Sequence, residues 1–438
     1  NHPNTFMFWK IVILSVCSAF LFSLDSSIVN IALPYMAHYF GASVSAIAFV
    51  PTAYMITVSA TLLLISMFFS RFGFRKVILW GYAILVASTF LCSLAPNLGV
   101  LIFLRILQGL GGSILLIGAF AILPKYVANN KLGLALGFVS SALGAGVAAG
   151  YPIGGFLSDY ASWRFVFGFI ALLTIPVFIY AFVVIPEDKP ADAGPKLDFA
   201  GSLTIFVAFV LFSYFLQYVE YYKKGNVVLP MCLLGFVVLP GLFLFIEKRK
   251  KSPVVDISLF KSKQYSFAML SRIFTAMLQY GNLFIMPFFL NIDKQISPFK
   301  SGLIIATYSI FYIMLAPVSG ILSDKFSPER MSIISLVILL IASAVFPFFM
   351  AYNAIGIVVV YLLIISIGFS LFYPANNKFC ILAVPQNRRS MSVGIFLTVW
   401  VGGMSLGVSF FEMAFTFSLA DFPAGVSALR EMVQHVPR

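Results

Sequence analysis

The residue with the most chemical content in this sequence is Asp25. It stands in an apolar run, with Ser26 and Ser27 beside it and Asn30 about one helical turn on. An ionisable side chain in hydrocarbon costs about 2.5–3.5 kcal/mol on insertion scales. Asp25 must therefore face a bundle interior and find a partner or water there. Burial and a nearby cation pull a carboxylate's proton affinity in opposite directions, so such a group can be poised for proton exchange. Arg105 is its natural partner. It lies ~12 Å from the outer end of its own run at 1.5 Å per residue, and Asp25 lies ~14 Å from the outer end of its run by the same rise. An ion pair at matched depth that opens on protonation would couple proton binding to helix movement; a permanent structural pair is the alternative. Glu412, near the outer end of the last apolar run, fits an interfacial place as well as a role in coupling. Arg272, inside the ninth run, is explained adequately by snorkelling to the interface, with a functional role as the lesser alternative.

Positioning such groups needs membrane-spanning elements, and the composition supplies them. The chain has 438 residues, 61% hydrophobic and only 10% charged, against about 45–50% apolar and about 25% charged for soluble domains. A water-coated globular protein is excluded. Apolar runs long enough to cross roughly 30 Å of hydrocarbon fall at 8–33, 44–69, 77–95, 98–123, 132–157, 165–185, 199–219, 227–246, 265–290, 302–322, 331–350, 355–374 and 391–419. They lack strand alternation, so thirteen helices are expected rather than a barrel. The net charge of +13 is informative through its placement. With the N-terminus inside, most Lys and Arg fall on cytoplasmic segments, which is the positive-inside pattern. The four cysteines sit in or beside apolar runs without metal or redox spacing, and the three histidines lie outside them. No metal or cofactor is expected.

Smaller signals concern gating. Residues 66–76 (SMFFSRFGFRK) and 320–330 (GILSDKFSPER) echo each other at corresponding cytoplasmic turns. They point to two related halves, as in many transporter folds. Gln108, Gly109, Gly111 and Gly112 follow Arg105. Gly150, Gly154 and Gly155 line the fifth run around Pro152, where small residues permit close helix approach and Pro permits bending. A hinge is the favoured reading there. Asn30, Tyr54, Gln108, Tyr280, Tyr308 and Tyr373 are candidates for a cavity wall.

These strings resemble a known family. Leu24 to Pro34 (LDSSIVNIALP) is similar to the first-helix signature of the fourteen-helix drug:proton antiporters of the major facilitator superfamily. Arg105 with Gln108, Gly109, Gly111 and Gly112 resembles the family's fourth-helix motif, which implies a proton-transfer role for Arg105. Gly150, Gly154 and Gly155 resemble its fifth-helix antiporter motif, with Tyr151 at the usual Pro position and Pro152 one place later. Trp163 to Phe167 resembles the string opening the sixth helix, and Leu197 to Gly201 the start of the seventh. The superfamily's cytoplasmic motif is matched by Gly320, Asp324 and Lys325 in the second half. In the first half Arg71, Gly73, Arg75 and Lys76 match, but Ser70 replaces the acid that latches the cytoplasmic gate.

The resemblance implies an all-α polytopic membrane protein with two pseudo-symmetric six-helix bundles (1–186 and 264–438), a two-helix insert at 187–263, and a fourteenth helix missing from this chain. The expected function is proton-coupled export of amphiphilic solutes, cationic ones included, by alternating access. A dedicated carrier of one metabolite, siderophore or lipid is the alternative. A membrane enzyme would need converging acid, base or metal ligands, and none is found. The expected partners are the small-molecule substrate, protons and the bilayer, with no nucleic acid. The expected form is a monomer in a bacterial cytoplasmic membrane, N-terminus inside.

Overall fold

The computed structural model describes residues 5–187 apart from 43 and 48, isolated positions between 201 and 215, and 227–247. It also describes 255–349 apart from 291–293 and 297, and 355–420. Among these residues all regular structure is helical. An apolar run in lipid has no water to satisfy its N–H and C=O groups, so it must bond to itself. The long helices are α1 (Thr5–Phe40), α2 (Phe49–Phe72), α3 (Phe74–Ser93), α4 (Leu98–Ala121), α5 (Leu132–Tyr160) and α6 (Trp163–Val184). After them come α7 (Val228–Glu247), α8 (Lys263–Phe288), α9 (Pro298–Lys325), α10 (Pro328–Phe349), α11 (Ile355–Leu382) and α12 (Arg389–Ala420). Among the described residues, 9 helices are long and apolar enough to cross a membrane. Most of the run expected at 199–219 lies outside the described residues.

Short polar residues set several helix starts. The Asn97 side chain accepts from Val100 N at 2.9 Å and caps α4. Ser162 caps α6 and Ser262 caps α8 in the same way. Arg164, next to the Ser162 cap, donates to Ser93 O at 2.7 Å and Ala95 O at 3.0 Å. It thereby ties α6 to the α3–α4 turn. Gly73 begins α3 at φ 85 and ψ 161, a positive-φ extended conformation open essentially to glycine, which costs another residue about 1–3 kcal/mol. Gly73→Ala is expected to lower stability by about that amount, read as a lower thermal midpoint in detergent.

One boundary differs from expectation in a way that matters. The run 355–374 was expected to end at Pro374, yet α11 continues to Leu382 with Pro374 inside it. Neighbouring helices can satisfy the backbone groups a proline frees. The extra two turns carry Asn376, Asn377 and Lys378, all buried, into the bundle.

The first six helices and the last five pack alike. In the first set α1 lies along α5, and α4 packs on α2 and α3. In the second set α8 lies along α12, and α11 packs on α9 and α10. The sets meet through α5 on α9 and α2 on α12. At the α5–α9 seam a Cβ on Gly133 or Gly320 would strike the other's backbone. Farther along, Gly137 abuts Ala316 and Pro317, Ser141 donates to Ile313 O at 2.7 Å, and Gly144 abuts Tyr312. On α2 and α12, Gly394 meets Ser66. These contacts seal one end of the bundle, where the turns after Phe72 and Lys325 lie.

Candidate functional site

Three places carry the sequence's candidate residues: a polar cluster inside the first set of helices, a cavity between the sets, and the sealed end.

The polar cluster forms around Asp25. Arg105 is one helical turn before Gln108 on α4, so both side chains leave the same face. Arg105 Nη1 lies 3.4 Å from Asp25 Oδ1, and both side chains are 0% exposed. Nη1 also donates to Gln108 Oε1 at 2.8 Å, and Arg105 Nε donates to Val50 O at 3.2 Å. Gln108 Nε2 donates to Asp25 Oδ1 at 2.7 Å and to Thr89 Oγ1 at 2.9 Å. The Tyr54 ring lies 4.3 Å from the guanidinium, within the range of a cation–π contact. The expected pair is thus present, but it is sealed from water rather than set in an open cavity. Asp25 Oδ2 is buried without a hydrogen-bond partner. One carboxylate oxygen is held by Arg105 and Gln108, and the other stands toward the Tyr54 hydroxyl, where a proton would add. Taking it removes the charge that balances Arg105.

The cavity encloses about 1050 Å³ counting its mouth. Phe22, Ser23 and Ser26 of α1 line one side, so Asp25 sits just behind the wall. Tyr280, Tyr308, Tyr373, Gln279 and Trp400 line the other. Three of the six residues expected on its wall are therefore there. Tyr54 and Gln108 are not, because both are fully buried in the Asp25 cluster. Asn30 is also outside the lining; its amide donates to Ser26 O at 3.3 Å. Gln279, which the sequence reading missed, organises the second wall. It donates to the Tyr308 hydroxyl at 2.6 Å and accepts from the Tyr373 hydroxyl at 2.7 Å. Trp400 packs edge-on between Tyr280 and Tyr373 at 6.3 and 6.4 Å.

At the sealed end the residue that bridges the sets is Asp324. It accepts from Gly133 N at 2.7 Å and Leu134 N at 2.9 Å, the unsatisfied donors of the α5 N-terminus. Lys378 Nζ donates to Asp324 Oδ1 at 2.5 Å and to Ser323 O at 2.9 Å. Gly320 makes room for this approach. Lys378 was missed because its helix was expected to end earlier. Lys325, next to Asp324, is exposed. Arg71 is exposed beside its neighbour Phe72. Arg75 turns to α6, donating to Phe182 O at 3.3 Å and pairing with Glu187 at 3.3 Å.

The fifth-helix glycines take a specific place. α5 runs unbroken from Leu132 to Tyr160 through Pro152. Gly146, Gly150 and Gly154 press on α1, where a Cβ would meet Ser23, Ser27 or Ile28. A Cβ on Gly155 would make only ordinary contact with Ile31 of α1, 3.9 Å away, and Pro152 is exposed. Close packing accounts for the first three without a bend. Glu412 falls on α12, and its side chain lies outside the described residues.

Known proteins are similar to this chain in sequence or in architecture. The chain is 27% identical over 417 residues to the riboflavin transporter RibZ of Clostridioides difficile, covering 94% of this chain and 89% of that protein. It is 24% identical over 424 residues to the tetracenomycin C resistance and export protein of Streptomyces glaucescens, covering 95% and 77%. The solved proton:xylose symporter XylE has the same fold, with a TM-score of 0.62 at 13% identity over 99% of this chain and 97% of that one. The Major Facilitator Superfamily pattern matches residues 15–408, and the chain belongs to that superfamily of membrane transporters.

Proposed function

We propose that this protein is a secondary active transporter of the fourteen-helix drug:proton antiporter kind, exporting amphiphilic small molecules in exchange for protons. The observation that carries the reading is the buried Asp25–Arg105–Gln108 cluster directly behind the wall of a cavity between two helix sets. On this reading 1–186 and 264–438 move against each other, and 187–263 is an insert. The positive-inside charge pattern supports placing the sealed end in the cytoplasm, and on that reading the cavity faces outward. A proton arriving from outside neutralises Asp25, releases its hold on Arg105 and loosens α1 from α4. That biases the cycle only by the difference in proton affinity between the two conformations. The α1–α5 glycine contact then carries the change to the α5–α9 seam.

A second reading, a carrier dedicated to one metabolite, is favoured by the fixed Gln279–Tyr308–Tyr373 chain. Set donors and acceptors select one ligand shape better than an adaptable wall does. Similarity to a riboflavin transporter makes flavins a first choice to test. The experiment is transport by the purified chain in proteoliposomes against a diverse panel, riboflavin and aromatic polyketides included, with and without an imposed pH gradient. Accumulation that needs the gradient is the expected result. Gradient-independent transport of every transported compound would remove proton coupling. Transport of one compound alone would favour the dedicated carrier.

A further inference from the structure

The second helix set repeats the charged arrangement of the first with its acid removed. In the first set Asp25 on the first helix meets Arg105 on the fourth. In the second set the arginine stands on the first helix, as Arg272 of α8, and its partners on the fourth are the amides of α11. Arg272 Nη1 donates to Asn376 Oδ1 at 2.5 Å, and Nη2 donates to Asn377 Oδ1. The expected snorkelling to the interface does not occur, since the residue is 2% exposed. Phe396 covers one approach, with its ring centre 4.4 Å from the guanidinium, and Tyr373 stands at 5.7 Å.

Amide oxygens satisfy N–H donors but bring no negative charge. Neither α8 nor α11 contains Asp or Glu. Asp324 on α9 is engaged by Lys378 and the α5 N-terminus. Glu412 on α12 stands ~24 Å beyond Phe396 at 1.5 Å per residue. Arg272 and Asn377 both line the cavity, and among the described residues that line it none is acidic. Arg272 Nε is also buried without a hydrogen-bond partner. A desolvated guanidinium normally has a carboxylate or phosphate in its fork. Among the described residues the chain provides the fork, the amides that aim it and an apolar aromatic chamber, and no counter-charge.

We propose that Arg272 and Asn377 form an anion subsite of the cavity, and that the transported solute carries a carboxylate or sulfonate seated there with its apolar body against Tyr280, Tyr308 and Trp400. This deepens the transporter reading and rests on it. It also reverses the expectation that cationic amphiphiles suit the cavity, since a cation there would meet like charge.

The test is calorimetric binding of three matched probes, benzoate, benzamide and benzylammonium, to the purified full chain. Benzoate is expected to bind the wild type about tenfold tighter than benzamide, with benzylammonium weakest, because charge complementarity sets the order. Arg272→Gln is expected to erase the benzoate preference while keeping benzamide binding, which also reports an intact cavity. Asn377→Asp installs the missing counter-charge without removing the arginine, and it too is expected to erase the preference. Arg272→Lys should keep part of it. Equal binding of benzoate and benzamide, no benzoate binding, or a preference that survives Asn377→Asp would overturn the proposal. Anion preference without gradient-driven transport of any panel compound would fail the transporter reading alone. Gradient-driven transport without anion preference would fail the subsite alone.

Discussion

Asp25→Asn will uncouple transport from the pH gradient. In proteoliposomes the variant is expected to move substrate down its own gradient while losing accumulation driven by protons. Asparagine keeps the size of the side chain and an oxygen for Gln108, which donates to Oδ1 at 2.7 Å, but it cannot bind or release a proton. The substitution also leaves Arg105 buried and unbalanced. Losing one partner of a buried pair costs about 3–5 kcal/mol, so a lowered thermal midpoint should accompany the functional loss. Arg105→Lys separates the two effects. It keeps the charge that balances Asp25 but cannot reproduce the forked contacts to Gln108 and Val50. It should therefore retain part of the stability and lose most of the coupled rate. Undiminished gradient-driven accumulation by Asp25→Asn would show that the coupling carboxylate is elsewhere.

Asp324→Ala will open the sealed end. Its carboxylate accepts two backbone N–H groups of α5 and the Lys378 ammonium, and hydrogen bonds to charged groups contribute about 1.5–3 kcal/mol each. Moving a two-state equilibrium from 1:99 to 99:1 takes about 5.5 kcal/mol. Loss of this one side chain is therefore large enough to exchange the dominant conformation, and it also strands Lys378. Single cysteines placed in the cavity wall of a cysteine-free background should become less reactive from outside and more reactive from inside. Ser70→Asp should act in the opposite direction. Ser66, one turn before Ser70, already touches Gly394 in the first turns of α12. An acid at 70 would meet that helix's N-terminus as Asp324 meets that of α5. Unchanged accessibility in both variants would dismiss the latch.

The Asp25–Arg105 pair could be read in the sequence because an isolated charge in an apolar run has few places to go, and depth from a helix end is simple arithmetic. Tyr54 and Gln108 were harder to place. A polar residue one turn from a buried arginine can face a cavity or join the arginine's own cluster, and helical spacing is the same for both. Arg272 could be read two ways from depth alone, because a long side chain near a helix end can reach water. Its true partners were hidden by Pro374, which reads as a stop in a soluble protein and as an ordinary interior residue in a packed membrane helix. Asp324 was recognisable from its motif, whereas its contact with the start of α5 depends on how the two helix sets close. No local pattern records that.

The setting of Trp400 has a practical consequence. The chain has four tryptophans. Trp9 and Trp80 point outward, Trp163 is buried beside Arg164, and Trp400 alone of the four lines the cavity. Flavins and other strongly absorbing aromatics overlap indole emission, so an occupant beside this ring should dim the protein's natural fluorescence. Replacing the other three indoles with phenylalanine would leave a label-free optical gauge of filling, fast enough to follow single turnovers by stopped flow.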